Sequence, residues 1–185
     1  MRFGRKWVLL ALLAGAMFLL LLGRREFASS HEARVGQVAR QMAAAGWPWE
    51  SGRLEVQRVH LARPDGVLRL APDPQAAPMH VNAWVVPILS GQVRLQKPPL
   101  PYWCAAVAYK LSGVSEATSR LAPALLGALA TLLLYSLGAM LYGRRVALIA
   151  VLIWLTTYLV PEQYRLAMAD PYLAFFTLAA VWAWV

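Results

Sequence analysis

Seven side chains in this sequence could between them move a proton and hold a phosphate: His31, Glu32 and Asp170 for the first task, Arg34, Arg94, Lys97 and Arg165 for the second. Transfer of a group away from a phosphate needs a base or electrostatic partner beside the accepting atom and positive charge beside the departing oxyanion. The carboxylates and the imidazole can serve the accepting side, and arginine and lysine are the natural phosphate partners. In the stretch GQVRLQKPPLPYW, Arg94, Gln96 and Lys97 stand directly before three prolines, whose fixed φ would hold the chain rigid there.

Each residue also has a plainer reading. Glu32 is a favourable acid for the first turn of a helix, and Asp170 before Pro171 can cap one. Arg94 and Lys97, with Tyr102 and Trp103, can be a helix end anchored among headgroups with its aromatic belt. His31 can be an idle surface residue. His60 and His80 have no spaced partner of metal-ligand type and read as loop residues, so no metal ligands are assigned. Cys104 cannot form an internal disulfide, and its apolar surroundings favour a packed, inert thiol. Glu116 and Glu162 read as markers of helix ends.

The elements that must position these groups follow from composition and charge. The chain is 59% hydrophobic yet carries a formal net charge of +9 over 185 residues. That combination fits a polytopic membrane protein with basic loops and argues against a soluble single domain. The arginines are scattered between apolar blocks with no basic stripe or recognition motif, which argues against nucleic-acid binding.

Residues 1–23 read as a first transmembrane helix, with Trp7 to Leu22 uncharged between basic flanks; a cleaved signal peptide ending near Ala28 to Ser30 is the rival. Residues 118–185 hold transmembrane helices at 121–142 and 146–162, then a span at 171–185 that looks cut off, as in an N-terminal fragment. Lys and Arg favour the cytoplasm, which puts the N-terminus and Arg144/Arg145 inside. Residues 24–97 then form an extracytoplasmic loop, and Tyr164 to Asp170 reaches the same outer face. Residues 98–112 are too short an apolar run to span, and suit an interfacial or re-entrant helix.

Within the loop, Ser30 is a good N-cap and Val35, Val38, Met42 and Ala45 recur at helical spacing, which predicts an amphipathic helix over 31–45. Alternating apolar residues around Arg63-Pro64-Asp65-Gly66 predict a β-hairpin over 54–70, and Pro72 to Pro78 reads as a linker.

Three ordered stretches, HEARVGQVARQMAAAGWPW, VVPILSGQVRLQKPPLPYW and RLAMADPYLAF, together resemble the N-terminal part of the bacterial lipid A aminoarabinose transferases and the related protein O-mannosyltransferase-like glycosyltransferases. The resemblance implies an all-α polytopic enzyme of the GT-C type in the bacterial inner (plasma) membrane. Such an enzyme takes a sugar from a polyprenyl-phosphate carrier and passes it to a lipid or protein acceptor at the extracytoplasmic face. Glu32, Arg34, Lys97 and Asp170 match positions of the family's motifs. His31 stands where the family has an aspartate proposed to act on the acceptor. Gln96 replaces a metal-linked glutamate, so a divalent metal, the cofactor the resemblance would suggest, loses its expected ligand. About thirty residues, roughly 50–82, look inserted between GWPW and WVVP.

Two other classes compete. A non-catalytic membrane protein whose outer loop binds a partner would account for the lost acids at 31 and 96. A transporter is the weaker rival, since no charged residue stands at mid-span depth.

Overall fold

A computed structural model describes residues 5–20, 22–24, 26–27, 29–49, 53–56, 59–62, 69–72, 75, 77 and 79–185. Helix α1, Arg5–Leu19, leads to α2, Ser30–Ala44; after the β strands come α3, Leu100–Ser112, α4, Glu116–Leu141, α5, Arg144–Thr156, the short α6, Leu159–Tyr164, and α7, Asp170–Trp184. Among the described residues, α4 alone is long and apolar enough to cross a membrane, and at 1.5 Å per residue it reaches about 39 Å.

The ends of these helices follow local chemistry. Ser29, rather than Ser30, caps α2: its backbone is extended and its Oγ accepts from the Glu32 N–H at 3.2 Å. Ser115 caps α4 in the same way, accepting from the Thr118 N–H, which lets the helix begin at Glu116, several residues before the uncharged run. The predicted 146–162 helix is instead two. Thr157 turns extended, and Thr156 and Thr157 donate their hydroxyls back to carbonyls of α5, so the chain re-enters as α6 only at Leu159. Glu116 opens its helix, whereas Glu162 lies inside α6.

Most of the described residues of the inserted segment form β strands. Strand β1, Arg53–Val56, pairs antiparallel with β4, Met79–Asn82, and β2, Val59–Ala62, pairs antiparallel with β3, Arg69–Pro72. The second pair is nested inside the first. The predicted 54–70 hairpin therefore divides: 59–62 pairs with 69–72 across the expected turn at 63–66, which lies outside the described residues, while 54–56 takes β4 as partner, from beyond the expected linker. A third pair, β5 (Ile88–Leu89) with β6 (Gln92–Val93), has Ser90 and Gly91 between its strands, at φ 52° and 79°. Both central residues of this two-residue turn occupy the left-handed region that a tight hairpin demands, which glycine meets without strain.

Among the described residues, two helical cores organise the molecule, with a smaller cluster of Val56, Val81 and Ile88 at the strands. One joins α1, α4, α5 and α6 through Leu10, Phe18, Ala124, Val151, Leu155 and Tyr164. The other joins α2 and α3 through Val38, Met42, Tyr102, Ala106 and Tyr109, with Trp84 and Ala167 at its margin.

Close approach in the first core depends on Gly127, where an added Cβ would lie 2.9 Å from both Phe18 and Tyr164. Phe18 and Tyr164 meet edge to face at 5.6 Å and have little room to retreat. Gly127→Leu is expected to destabilise the fold toward the upper end of about 1–3 kcal/mol, read as a lowered melting temperature in detergent.

Candidate functional site

One buried ion pair fixes the end of the bundle where the site lies. Glu32 is fully buried and accepts at Oε1 from Arg120 Nε at 2.6 Å and from the Ala167 backbone N–H at 3.1 Å. Its Oε2 accepts from Arg120 Nη2 at 3.1 Å. Arg120 also donates to the carbonyls of Leu22 at 2.8 Å and Glu26 at 3.0 Å, and its guanidinium lies over the Phe27 ring. Two side chains thus tie α2, the N-terminal end of α4, the segment after α1 and the connection before α7 to one point. Charges taken this far from water persist only when paired and fully hydrogen-bonded, and this pair meets that requirement.

Next to this point, His31, Arg94 and Lys97 line one pocket together with Val35, Pro101, Tyr102, Met168 and Ala169. Three elements converge there for separate reasons. His31 is on the first turn of α2. Arg94 follows β6, its N–H donating to the Pro87 carbonyl at 2.7 Å across the small hairpin. Met168 and Ala169 are held by the Ala167 N–H bond to Glu32 and lead directly into α7. Lys97 also borders a wider, more open groove formed by Val85, Pro87, Leu95, Gln96, Pro98 and Pro99.

Asp170 is exposed and is the first residue of α7. The N-cap is Ala169, with no side-chain cap hydrogen bond, so Asp170 does not cap the helix, and its carboxylate has no partner among the described residues. Glu32, expected to face a substrate, instead lies wholly beneath the surface against Arg120. Arg34 and Arg165 do not line the pocket. Arg165 donates to the Leu20 carbonyl at 2.8 Å and pins α6 to the end of α1.

Tyr102 is 1% exposed and belongs to the core, which overturns its reading as part of an aromatic belt. Trp103 is 39% exposed, with its indole N–H donating to the Trp84 carbonyl at 2.6 Å. Burial pushes the Cys104 thiol up, partly offset by a hydrogen bond to Tyr172, as suits a packed thiol. Gln96 stands exposed on the open groove, and among the described residues no three His, Cys, Asp or Glu side chains converge on one point. The residues here do not fit a metal ion, and the chemistry below uses none.

Two parts of this arrangement escaped sequence reasoning. Arg120 was not singled out, although an arginine four residues into an apolar helix is a charge in need of a partner. The β5–β6 hairpin was signalled by Ser-Gly between Ile88-Leu89 and Gln92-Val93, a pattern hidden by the proline run that follows.

Comparison with known proteins agrees with this architecture. Residues 96–185 match the family described as dolichyl-phosphate-mannose-protein mannosyltransferase. An uncharacterized protein of Aquifex aeolicus is 31% identical over 102 residues, covering 55% of this chain and 20% of that protein. ArnT from Cupriavidus metallidurans superposes with a TM-score of 0.69 both bound to undecaprenyl phosphate and in the apo state, at 21% and 22% identity. The superposition covers 96% of this chain and 26% of ArnT, so the chain spans about a quarter of that protein's length. Just under half of the chain, residues 96–185, thus matches the mannosyltransferase family, and nearly the whole chain shares the fold of ArnT.

Proposed function

We propose that the protein moves a sugar from a polyprenyl-phosphate carrier to a lipid or protein acceptor at the extracytoplasmic face of a bacterial inner membrane, with its N-terminus in the cytoplasm. The observation that carries this reading is the shared pocket: His31, Arg94 and Lys97, drawn from two distant stretches of sequence, line it beside the residues that lead to Asp170. ArnT's capture of undecaprenyl phosphate on the same fold supports a lipid-phosphate donor.

In this reading Lys97 and Arg94 hold the donor's phosphate, and their charge stabilises the oxyanion left when the bond from sugar to phosphate breaks. Asp170, exposed and unpaired among the described residues, accepts the proton of the attacking acceptor group, with His31 as the second group able to do so near neutral pH. The position of α7 helps the phosphate, because the N-terminal end of a helix carries partial positive charge. Glu32 acts through Arg120 and the Ala167 N–H as a positioning residue, and Arg165 does the same through α1. Arg34, half-buried outside the pocket, is assigned to the lipid headgroups or to the distal part of the donor.

Lys97→Ala tests the donor side. Loss of an ammonium from a phosphate site should weaken binding of a prenyl phosphate to the full-length protein by about tenfold or more. Binding of the matching prenyl alcohol should not change. Equal affinity of wild type for phosphate and alcohol would remove the lipid phosphate from the account.

A further inference from the structure

Two polar atoms in the wall of the pocket are buried without any hydrogen-bond partner: the hydroxyl of Tyr102 and Nε of Arg94. Buried polar groups are nearly always satisfied, and a phenol in a core normally reaches an acceptor or donor. Here the ring is fixed by packing among α2 and α3 at 1% exposure, so the hydroxyl cannot turn out to solvent. Gln41 Oε1, Trp154 Nε1 and the Tyr164 hydroxyl are also buried without a partner, but they do not line this pocket. Trp84 and Trp103, packed close by, both find carbonyl acceptors for their indole N–H groups.

The chemistry of the orphaned atoms defines what would satisfy them. Arg94 Nε can only donate, Lys97 can only donate, and Tyr102 can donate. A single group that accepts from several such donors is an oxyanion; a water molecule accepts about two hydrogen bonds and would turn its own protons toward cations. Space points the same way. The interior offers about 20 Å³, enough for one water-sized group, hence for one oxygen of a tetrahedral anion and not for a sugar ring.

We propose that Tyr102 is a further substrate-binding residue, donating its phenolic hydrogen bond to an oxygen of the same phosphate that Arg94 and Lys97 hold. This rests on the lipid-phosphate reading of the pocket and deepens it. A phenol fixed by core packing loses little freedom on binding, and it sets how deep the phosphate sits, which the flexible Lys97 alone cannot do.

The test uses the full-length protein in detergent with a prenyl phosphate and the matching prenyl alcohol as probes. Tyr102→Phe removes one oxygen and should weaken prenyl phosphate binding by about tenfold while leaving prenyl alcohol binding unchanged. Without lipid, its melting temperature should equal or exceed that of wild type, because an unsatisfied buried hydroxyl has been removed. A lower melting temperature would mean the hydroxyl has a structural partner and would overturn the proposal. Wild-type affinity in Tyr102→Phe, with Lys97→Ala weakened, would overturn the role of Tyr102 and leave the pocket's function standing. If wild type itself prefers phosphate no more than alcohol, the underlying reading fails and the proposal with it.

Discussion

Exchange of Asp170 for asparagine should lower sugar transfer by about 10²–10⁴-fold, the range a positioned acid or base contributes, with the fold intact. Its stability consequence is small for a physical reason. Asp170 is exposed, accepts no cap hydrogen bond and stands in the first turn of α7, where a carboxylate is worth about 0.3–1 kcal/mol against the helix terminus. The measurement is transfer in membranes set beside thermal unfolding of the same variant. Wild-type transfer by the variant would remove Asp170 from the mechanism, whereas no transfer by the wild type itself would favour the non-catalytic, partner-binding alternative.

Loss of Arg120 should act in the opposite way, on stability first. Arg120→Leu removes the Arg120 cation from the buried Glu32 carboxylate and its donors from the carbonyls of Leu22 and Glu26. Breaking one side of a buried pair costs about 3–5 kcal/mol. The double variant Glu32→Leu with Arg120→Leu should recover much of that loss, since an apolar replacement of the whole pair is often neutral, though the two carbonyls remain unpaired. Thermal unfolding of the single and double variants checks this. A single variant as stable as wild type would mean the pair is not the tie between α2, α4 and the approach to α7.

These two outcomes separate roles that look alike in sequence. Glu32 and Asp170 are both acids beside helix starts, and the motif resemblance alone treats both as catalytic. Burial divides them: Glu32 is sealed against a cation contributed from residue 120, while Asp170 stands open at the end of α7. Sequence periodicity located α2 and α3 well, because amphipathic spacing and proline boundaries are local signals. It placed α4 too late because the Ser115 cap admits residues outside the uncharged run. It missed the break after Thr156, where side-chain hydroxyls compete for backbone carbonyls. The strand pairing of β1 with β4 joins residues separated by another hairpin, and alternation of apolar residues says nothing about which partner a strand takes.

The site was legible as a set of residue types and illegible as a geometry. His31, Arg94, Lys97 and Asp170 were each visible because their chemistry suits phosphate and proton transfer. That His31, Arg94 and Lys97 share a wall depends on a Ser90-Gly91 turn and on a salt bridge spanning 88 positions, neither of which leaves a periodic trace. Tyr102 was misread because an aromatic pair next to a basic cluster has the same composition whether it lies in headgroups or in a core.

The central claim is that the pocket beside α2, β6 and the start of α7 receives the phosphate of a prenyl carrier. A structure of the full-length protein with a prenyl phosphate bound measures this most directly. The account predicts phosphate oxygens within hydrogen-bonding distance of the Lys97 ammonium and the Arg94 guanidinium, with the Asp170 carboxylate on the side from which an acceptor enters. A phosphate resolved elsewhere on the protein, with no contact to Lys97 or Arg94, would contradict it.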